Sequence, residues 1–302
     1  MMDHPIPVIV NATAGKGYDE SQIEAVAAAF EKAGAAVDIV PVRVASELVK
    51  AAERAVEAGH PVVVAGGGDG TMNAVACAVA GSDSALGVLP LGTLNHFAKD
   101  LKIPLEIEEA ARVIVANHQA RVDVAEVNGR IFLNNSSLGL YPELVRVRES
   151  QRRHLGRSKW HALFWATLTV LRRHPKIDVR LEVDGNAETR RTPLVFIGNN
   201  EYVVEGLNVG SRERLDSGKL SIYLTRRSGH WGLLGLAVRA FTGTLLQQRD
   251  FEALTAATAR IATRHKELPV ATDGEVTVMR MPLEYRIRPG ALRVVVPAPA
   301  AA

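Results

Sequence analysis

Val62-Val63-Val64-Ala65-Gly66-Gly67-Gly68-Asp69-Gly70-Thr71 decides how this chain is read. A short, mostly β-branched run bounded by glycines reads as a buried strand ending in a turn, and Ala74 to Ala80 behind it reads as a helix. Glycines let a backbone approach a phosphate closely and expose consecutive N–H groups. The start of a helix adds partial positive charge at the same place. Asp69 does not belong beside phosphates unless a metal or a proton transfer uses it. The stretch points to phosphoryl transfer.

Outward from this turn, the first 120 residues alternate strand and helix. Pro7 to Val10 reads as a strand and Asn11 to Gly17 as a glycine-containing turn. Ser21 to Lys32 reads as a helix with Ile23, Val26, Ala27 and Phe30 on one face. Ala36 to Val40 and Ala45 to Ala58 repeat the pair. Ala85 to Leu89 follows as a strand that runs into Pro90-Leu91-Gly92-Thr93. Such alternation builds a parallel sheet. Ligands bind at the carboxyl ends of its strands, so the three turns are expected to converge on one cleft.

Near residue 121 the pattern changes. Val122 to Leu133 is two short runs around Asn128-Gly129, a strong hairpin signal. Strands are expected again at 178–185, 194–197, 220–224, 276–279 and 292–296, the pattern of an antiparallel sandwich or barrel. Two apolar stretches, Trp160 to Leu171 and Trp231 to Leu246, read as helices. The chain is therefore expected to divide into an α/β domain over 1–121, a β-sandwich domain over 122–296 and a disordered, low-complexity tail over 297–302.

The 302 residues are 47% hydrophobic and 23% charged, ordinary for a folded domain or two. No apolar run is long enough to span a bilayer. The first residues lack the regions of a signal peptide, and the single Cys77 excludes a disulfide framework, so a cytoplasmic location is expected. The net charge of +3 is unevenly spread. From Arg146 to Lys176, nine Lys and Arg face one acid, Glu149. That stretch is either a solvated basic face or a surface for anionic lipid. With few aromatics and no recognition motif, nucleic acid is not an expected partner. No histidine sits at metal-ligand spacing, and no Gly-x-Ser-x-Gly elbow is present.

Three further turns carry chemistry. In Leu89 to Ala98, Thr93 and Asn95 read as helix caps or as polar contacts to a ligand. Ala271-Thr272-Asp273-Gly274-Glu275 reads as a hairpin turn; folded against a cleft, one of its acids could accept a proton from a hydroxyl. Arg214 to Leu220 is an acid-bearing turn whose carbonyls and Asp216 could hold a hard cation.

In this order the pieces resemble the diacylglycerol kinase catalytic-domain family, which includes soluble bacterial lipid kinases and the sphingosine and ceramide kinases. Gly67 to Thr71 with Asn73 matches the family's glycine signature fully, Leu89 to Ala98 its second motif, and Asn11 to Gly15 its first turn loosely. Asp123, Asn134 to Gly139, Gly198 to Asn200 and Asp273 to Glu275 follow in place. The resemblance implies a Rossmann-like α/β domain related to NAD kinases, a C-terminal antiparallel β-sandwich, and ATP between them. Nucleotide contacts would come from Asn11, Ala12, Thr13, Ala14, Gly15, Gly66, Gly67, Gly68, Gly70, Thr71, Met72, Asn73, Gly92, Thr93 and Asn95. Asp69 would organise magnesium, and Asp273 and Glu275 would be the acid pair at the acceptor hydroxyl. A structural magnesium would sit at Arg214, Asp216, Ser217 and Lys219, partly on carbonyls, although Ser217 stands where the family has a second acid. Ala12, Val42 and His96 also depart from the pattern.

The implied activity is ATP-dependent phosphorylation of a lipid hydroxyl, diacylglycerol or a relative, at the inner face of a membrane that the chain meets transiently. A homodimer is compatible with this reading. Two rivals are an NAD-kinase-like enzyme acting on a soluble substrate and a non-catalytic regulator that binds nucleotide or lipid.

Overall fold

The structure, a computed structural model, describes residues 4–12, 20–139, 176–206, 208–225, 245–246 and 251–299. The basic stretch before Lys176, the apolar stretch 160–171, Thr13 to Gly15 and the end of the tail lie outside these residues. The chain forms two units, one of residues 1–124 and 288–302, the other of 125–287.

In the first unit, β1 (Ile6–Asn11), β2 (Val37–Val42), β3 (Val62–Gly67) and β4 (Ala85–Pro90) form a parallel sheet in the order β2-β1-β3-β4. Helices α1 (Glu20–Lys32), α2 (Ala45–Glu57), α3 (Asp69–Val79), α4 (His96–Asp100) and α5 (Ile107–Ala116) connect them. α1 packs with α5 and α2 with α3. β3 and β4 are buried along their whole length, which is why they read as unbroken apolar runs rather than alternating ones. Strand order reverses between β1 and β3, and such switch points open a crevice at the carboxyl ends. Register pairs Val10 with Gly66 and Gly67 with Pro90, so the ends of β1, β3 and β4 lie side by side.

The second unit holds β6 (Arg130–Phe132), β7 (Asn135–Gly139), β8 (Ile177–Val183), β9 (Asn186–Thr192), β10 (Leu194–Asn199), β11 (Val203–Gly206), β12 (Asn208–Ser211), β13 (Leu220–Thr225), β14 (Leu245–Leu246), β15 (Phe251–Ala256), β16 (Thr258–Thr263), β17 (Glu267–Thr272) and β18 (Glu275–Arg280). β5 (Gln119–Val127) and β19 (Leu283–Val295) each run from one unit into the other. One antiparallel sheet has the order β15-β13-β10-β7-β17-β18. A second layer pairs the first half of β19 with β16, β16 with β8, and β8 with β9. Between them lies one apolar core that includes Phe132, Leu138, Ile197, Ile222, Ile261, Val270 and Leu283. Each such side chain, fully buried, contributes about 2 kcal/mol of transfer free energy. Tyr285 meets Phe132 edge-on at 6.3 Å, and its hydroxyl shares a hydrogen bond with Ser136 on the facing sheet. Asn128-Gly129, Asp184-Gly185 and Asp273-Gly274 all have positive φ at both residues, the backbone of two-residue hairpin turns.

Two expectations are corrected. The second half of β19 belongs to the first unit, not to a sandwich domain ending at 296: Val294 pairs in parallel with Leu86 of β4, and Asp123 accepts the N–H of Gly290 at 2.8 Å. Leu245 and Leu246, read as the end of a helix, pair as β14 with β11. An apolar run leaves helix and strand ambiguous, and here the ladder decides.

Candidate functional site

The first cluster of interest lies in the first unit. Chain direction reverses at Gly67-Gly68, and α3 begins at Asp69. The N–H groups of Thr71 and Met72 both donate to the Gly68 carbonyl, which commits two amides read as nucleotide contacts. Asp69 and Gly70 open the helix, where N–H groups have no intrahelical acceptor. A methyl group on Gly70 would meet nothing within 4 Å, so packing does not require glycine there; close approach by a ligand would. At Gly67 and Gly92 packing does require it. A Cβ on Gly67 would lie 2.3 Å from Thr71 Oγ1, and one on Gly92 would lie 2.4 Å from Gly68 Cα.

Side chains then bind the three turns together. Asn11 at the end of β1 donates to Thr71 Oγ1 at 3.3 Å. The Asp69 carboxylate accepts the N–H groups of His96 (3.2 Å) and Phe97 (3.0 Å), capping α4 from outside it. The buried Asn95, in the left-handed conformation at φ 52°, accepts the Gly92 N–H and donates to the carbonyls of Gly92 and Pro90. Asp69 is thus a bridge between the two glycine motifs. Its oxygens keep lone pairs beyond these bonds, enough for one position on a magnesium carried by phosphates. Asn73 Oδ1 is buried with no hydrogen-bond partner among the described residues, an acceptor suited to a hydroxyl or amino group. Thr93 is exposed, and the Ala12 N–H is committed to the Val42 carbonyl.

The second cluster lies in the second unit. Asp273 occupies the hairpin between β17 and β18 with φ 47°. Its carboxylate turns inward and accepts the N–H groups of Leu133 (2.8 Å), Asn134 (2.8 Å) and Asn135 (3.0 Å). Burial pushes its pKa up to about 6, against the pull of the three N–H groups and of Arg212. Glu275 is different in kind. Its side chain is 59% exposed, Arg130 holds Oε2 at 2.6 Å, and Oε1 accepts no hydrogen bond among the described residues. The two acids read as a pair therefore have separate roles. Asp273 anchors the segment 133–135, while Glu275 keeps one carboxylate oxygen that accepts no hydrogen bond among the described residues.

The raised pKa of Asp273 has a measurable sign. In the unfolded chain the group titrates near the ordinary 3.8 and in the folded chain near 6, so between these values the folded state binds the extra proton. Its contribution is full below about pH 4 and is lost as pH rises through 6, a change of about 3 kcal/mol. Urea melts of wild type and Asp273→Asn at pH 4.5 and 7 should show the wild type's stability, relative to the variant, falling as pH rises. A relative gain instead would contradict the burial of this carboxyl.

In Arg214 to Leu220 the side chains read as magnesium donors are engaged within the turn. Asp216 pairs with Arg214 at 3.0 Å, and that contact raises the arginine's pKa. Ser217 gives both its N–H (2.8 Å) and its hydroxyl (2.6 Å) to Asn200 Oδ1. The donor set therefore offers one carboxylate already matched to a guanidinium. Among the described residues no group of three or more His, Cys, Asp or Glu could hold a metal. Asn200 also accepts from Ser221 Oγ and donates to the Lys219 carbonyl, so this turn is closed by hydrogen bonds.

Arg212 is absent from the residues read in the sequence. It is 4% exposed, donates to the carbonyls of Leu133 and Asn199 and to Asn134 Oδ1, and lies over the Tyr202 ring at 5.4 Å. A lone arginine in a turn-rich segment carries no periodic signal. Asn134, Asn199 and Asn200, noted only as motif positions, prove to be its partners or their neighbours.

Comparison with known proteins also divides the chain near residue 125, and carries the second match on to 296. Residues 5–127 match the diacylglycerol kinase catalytic domain, and residues 145–296 match the YegS C-terminal NAD kinase beta sandwich-like domain. A diacylglycerol kinase of Staphylococcus aureus (strain JH9) is 28% identical over 223 residues, 73% of this chain and 70% of that protein. The crystal structure of a diacylglycerol kinase from Bacillus anthracis str. Sterne has a TM-score of 0.71 at 21% identity, over 99% of this chain and 98% of that one. Another B. anthracis structure reaches 0.78 at 24% identity, over 98% of both chains. No helix among the described residues is long and apolar enough to cross a membrane. The chain belongs to the family that joins a diacylglycerol kinase catalytic domain to a YegS-type β-sandwich.

Proposed function

We propose that the chain is an ATP-dependent lipid kinase that transfers the γ-phosphoryl group to the hydroxyl of diacylglycerol or a closely related lipid. The observation that carries this reading is the stitched set of strand-end turns in the kinase-matched unit: Asn11 to Thr71, Asp69 to α4, and Gly68 against Gly92. Phosphoryl transfer requires mainly positioning and charge neutralisation, and rigid turns with unspent amides supply both. The N–H groups of Asp69 and Gly70 would bind phosphate oxygens. Asn73 Oδ1 would accept from a hydroxyl or amino group of the nucleotide. Asp69 would hold magnesium jointly with the phosphates, and the bound ion would offset charge on the transferring group. Glu275 would take the proton of the attacking hydroxyl through its free Oε1, and Arg130 would fix its orientation. The basic stretch Arg146 to Lys176 suits anionic headgroups, which supports work at the inner membrane face.

The test is transfer from γ-labelled ATP to a panel of diacylglycerol, a sphingoid base, ceramide and NAD, with products identified by mass. A phosphorylated lipid is the expected result. Phosphorylated NAD would favour the soluble-substrate reading, and nucleotide binding with no acceptor modified would favour a regulator.

A further inference from the structure

We propose that Arg212 is a positioning residue for the acidic turn Asp273–Glu275, acting through the backbone of Leu133 to Asn135. That segment lies between two charged groups. On one side its N–H groups point at the Asp273 carboxylate, and the Asp273 N–H returns to the Asn135 carbonyl at 2.9 Å. On the other side, Arg212 Nη1 takes the Leu133 carbonyl at 2.6 Å and Nη2 takes Asn134 Oδ1 at 2.7 Å. The guanidinium and the carboxylate thus grip one short stretch of backbone from its two polar faces.

The arrangement is rigid for stated reasons. The guanidinium is planar, and here it also grips the Asn199 carbonyl at 3.1 Å. Asn199 in turn donates to the same Leu133 carbonyl at 2.8 Å. In a buried site such hydrogen bonds reinforce one another, and loss of one donor leaves acceptors that water cannot reach. Arg212 is also the charged side chain among the described residues whose field acts on Asp273, holding its pKa down; the segment 133–135 contributes no titratable group. Asp273 sets the backbone from which Glu275 projects two residues later, opposite Thr272. A shift of the 133–135 segment is therefore passed to Glu275 without any contact between Arg212 and Glu275.

The kinetic arm of the test rests on the proposed lipid-kinase reading; the titration arm does not. Arg212→Gln and Arg212→Lys are compared with wild type in kcat, in KM for ATP, and in the 13C-carboxyl titration of Asp273. In Arg212→Gln, kcat should fall about tenfold or more, while KM for ATP moves less than about twofold. Its Asp273 midpoint should rise by about one pH unit. Arg212→Lys should keep the midpoint but lose about threefold or more in kcat, because an ammonium cannot reproduce the fork. An Arg212→Gln protein with wild-type kcat and an unmoved midpoint overturns the proposal. If the Gln variant does not fold, Arg212→Lys decides: wild-type kcat overturns the proposal, and the stated loss supports it. If the wild type phosphorylates no lipid, the functional reading fails, and the Asp273 titration still decides the role of Arg212.

Discussion

Glu275→Gln is expected to reduce phosphoryl transfer by about 10²-fold or more, the usual contribution of a positioned general base. The substitution keeps size, shape and one acceptor oxygen, and removes the capacity to take a proton together with the negative charge that pairs with Arg130. Because the side chain is more than half exposed and bound to Arg130 alone among the described residues, the melting temperature should hardly change. KM for ATP should also hold, since Glu275 is not among the residues that would bind nucleotide. The measurement is kcat with the lipid acceptor found active, over pH 5 to 9. Activity retained within about threefold of wild type would remove Glu275 from the base role. A substitution at Asp273 is a less direct test. Its oxygens accept three backbone N–H groups, so its replacement would disturb the turn as well and would not isolate a proton transfer.

The second large effect is expected at Gly92→Ala. An added methyl group would sit 2.4 Å from Gly68 Cα, 2.7 Å from Asn95 Oδ1 and 3.1 Å from the Gly68 N. The first and last of these are backbone atoms, which cannot swing aside as a side-chain end can. One of the two glycine turns must move, at a cost of about 1–3 kcal/mol in stability. A displacement near 1 Å at the phosphate cradle should lower kcat/KM for ATP by about 10². Gly70→Ala is the informative partner, because nothing lies within 4 Å of its added methyl group. It should leave the melting temperature unchanged and still weaken nucleotide binding, measured by calorimetry with a non-hydrolysable ATP analogue. Equal nucleotide affinity in Gly70→Ala and wild type would detach this turn from the phosphate.

Much of the first unit is legible in the sequence, since each signal there is local. A buried strand, a glycine turn and a helix follow one another from Val62 to Val79, although the helix begins at Asp69, inside the stretch read as turn and ahead of the Ala74 where the apolar pattern starts it. The Asn-Gly and Asp-Gly hairpins are legible for the same reason: two residues with positive φ name the turn themselves. What escapes the sequence is long-range. The strand pattern over 292–296 is plain, but nothing in it says that Val294 will pair with Leu86. The acid pair Asp273 and Glu275 is visible as two carboxylates, yet their separate roles depend on N–H groups 138 to 140 positions away in the chain. Arg212 escapes altogether, because only the folded chain shows that its surroundings are carbonyls rather than water.

The return of β19 to the first unit has a consequence for how the protein is made. On a ribosome, residues 1–124 emerge first, with the described helices and four parallel strands of their unit already present, but β4 lacks its second neighbour until Val294 has been added. A nascent chain halted near residue 125 would carry an open β4 edge, and its Asp123 would lack the Gly290 N–H that it accepts in the complete chain. The unit proposed to bind nucleotide is therefore the first to be synthesised and among the last to be completed. A chaperone that shields it has to hold on until the whole second unit has been translated.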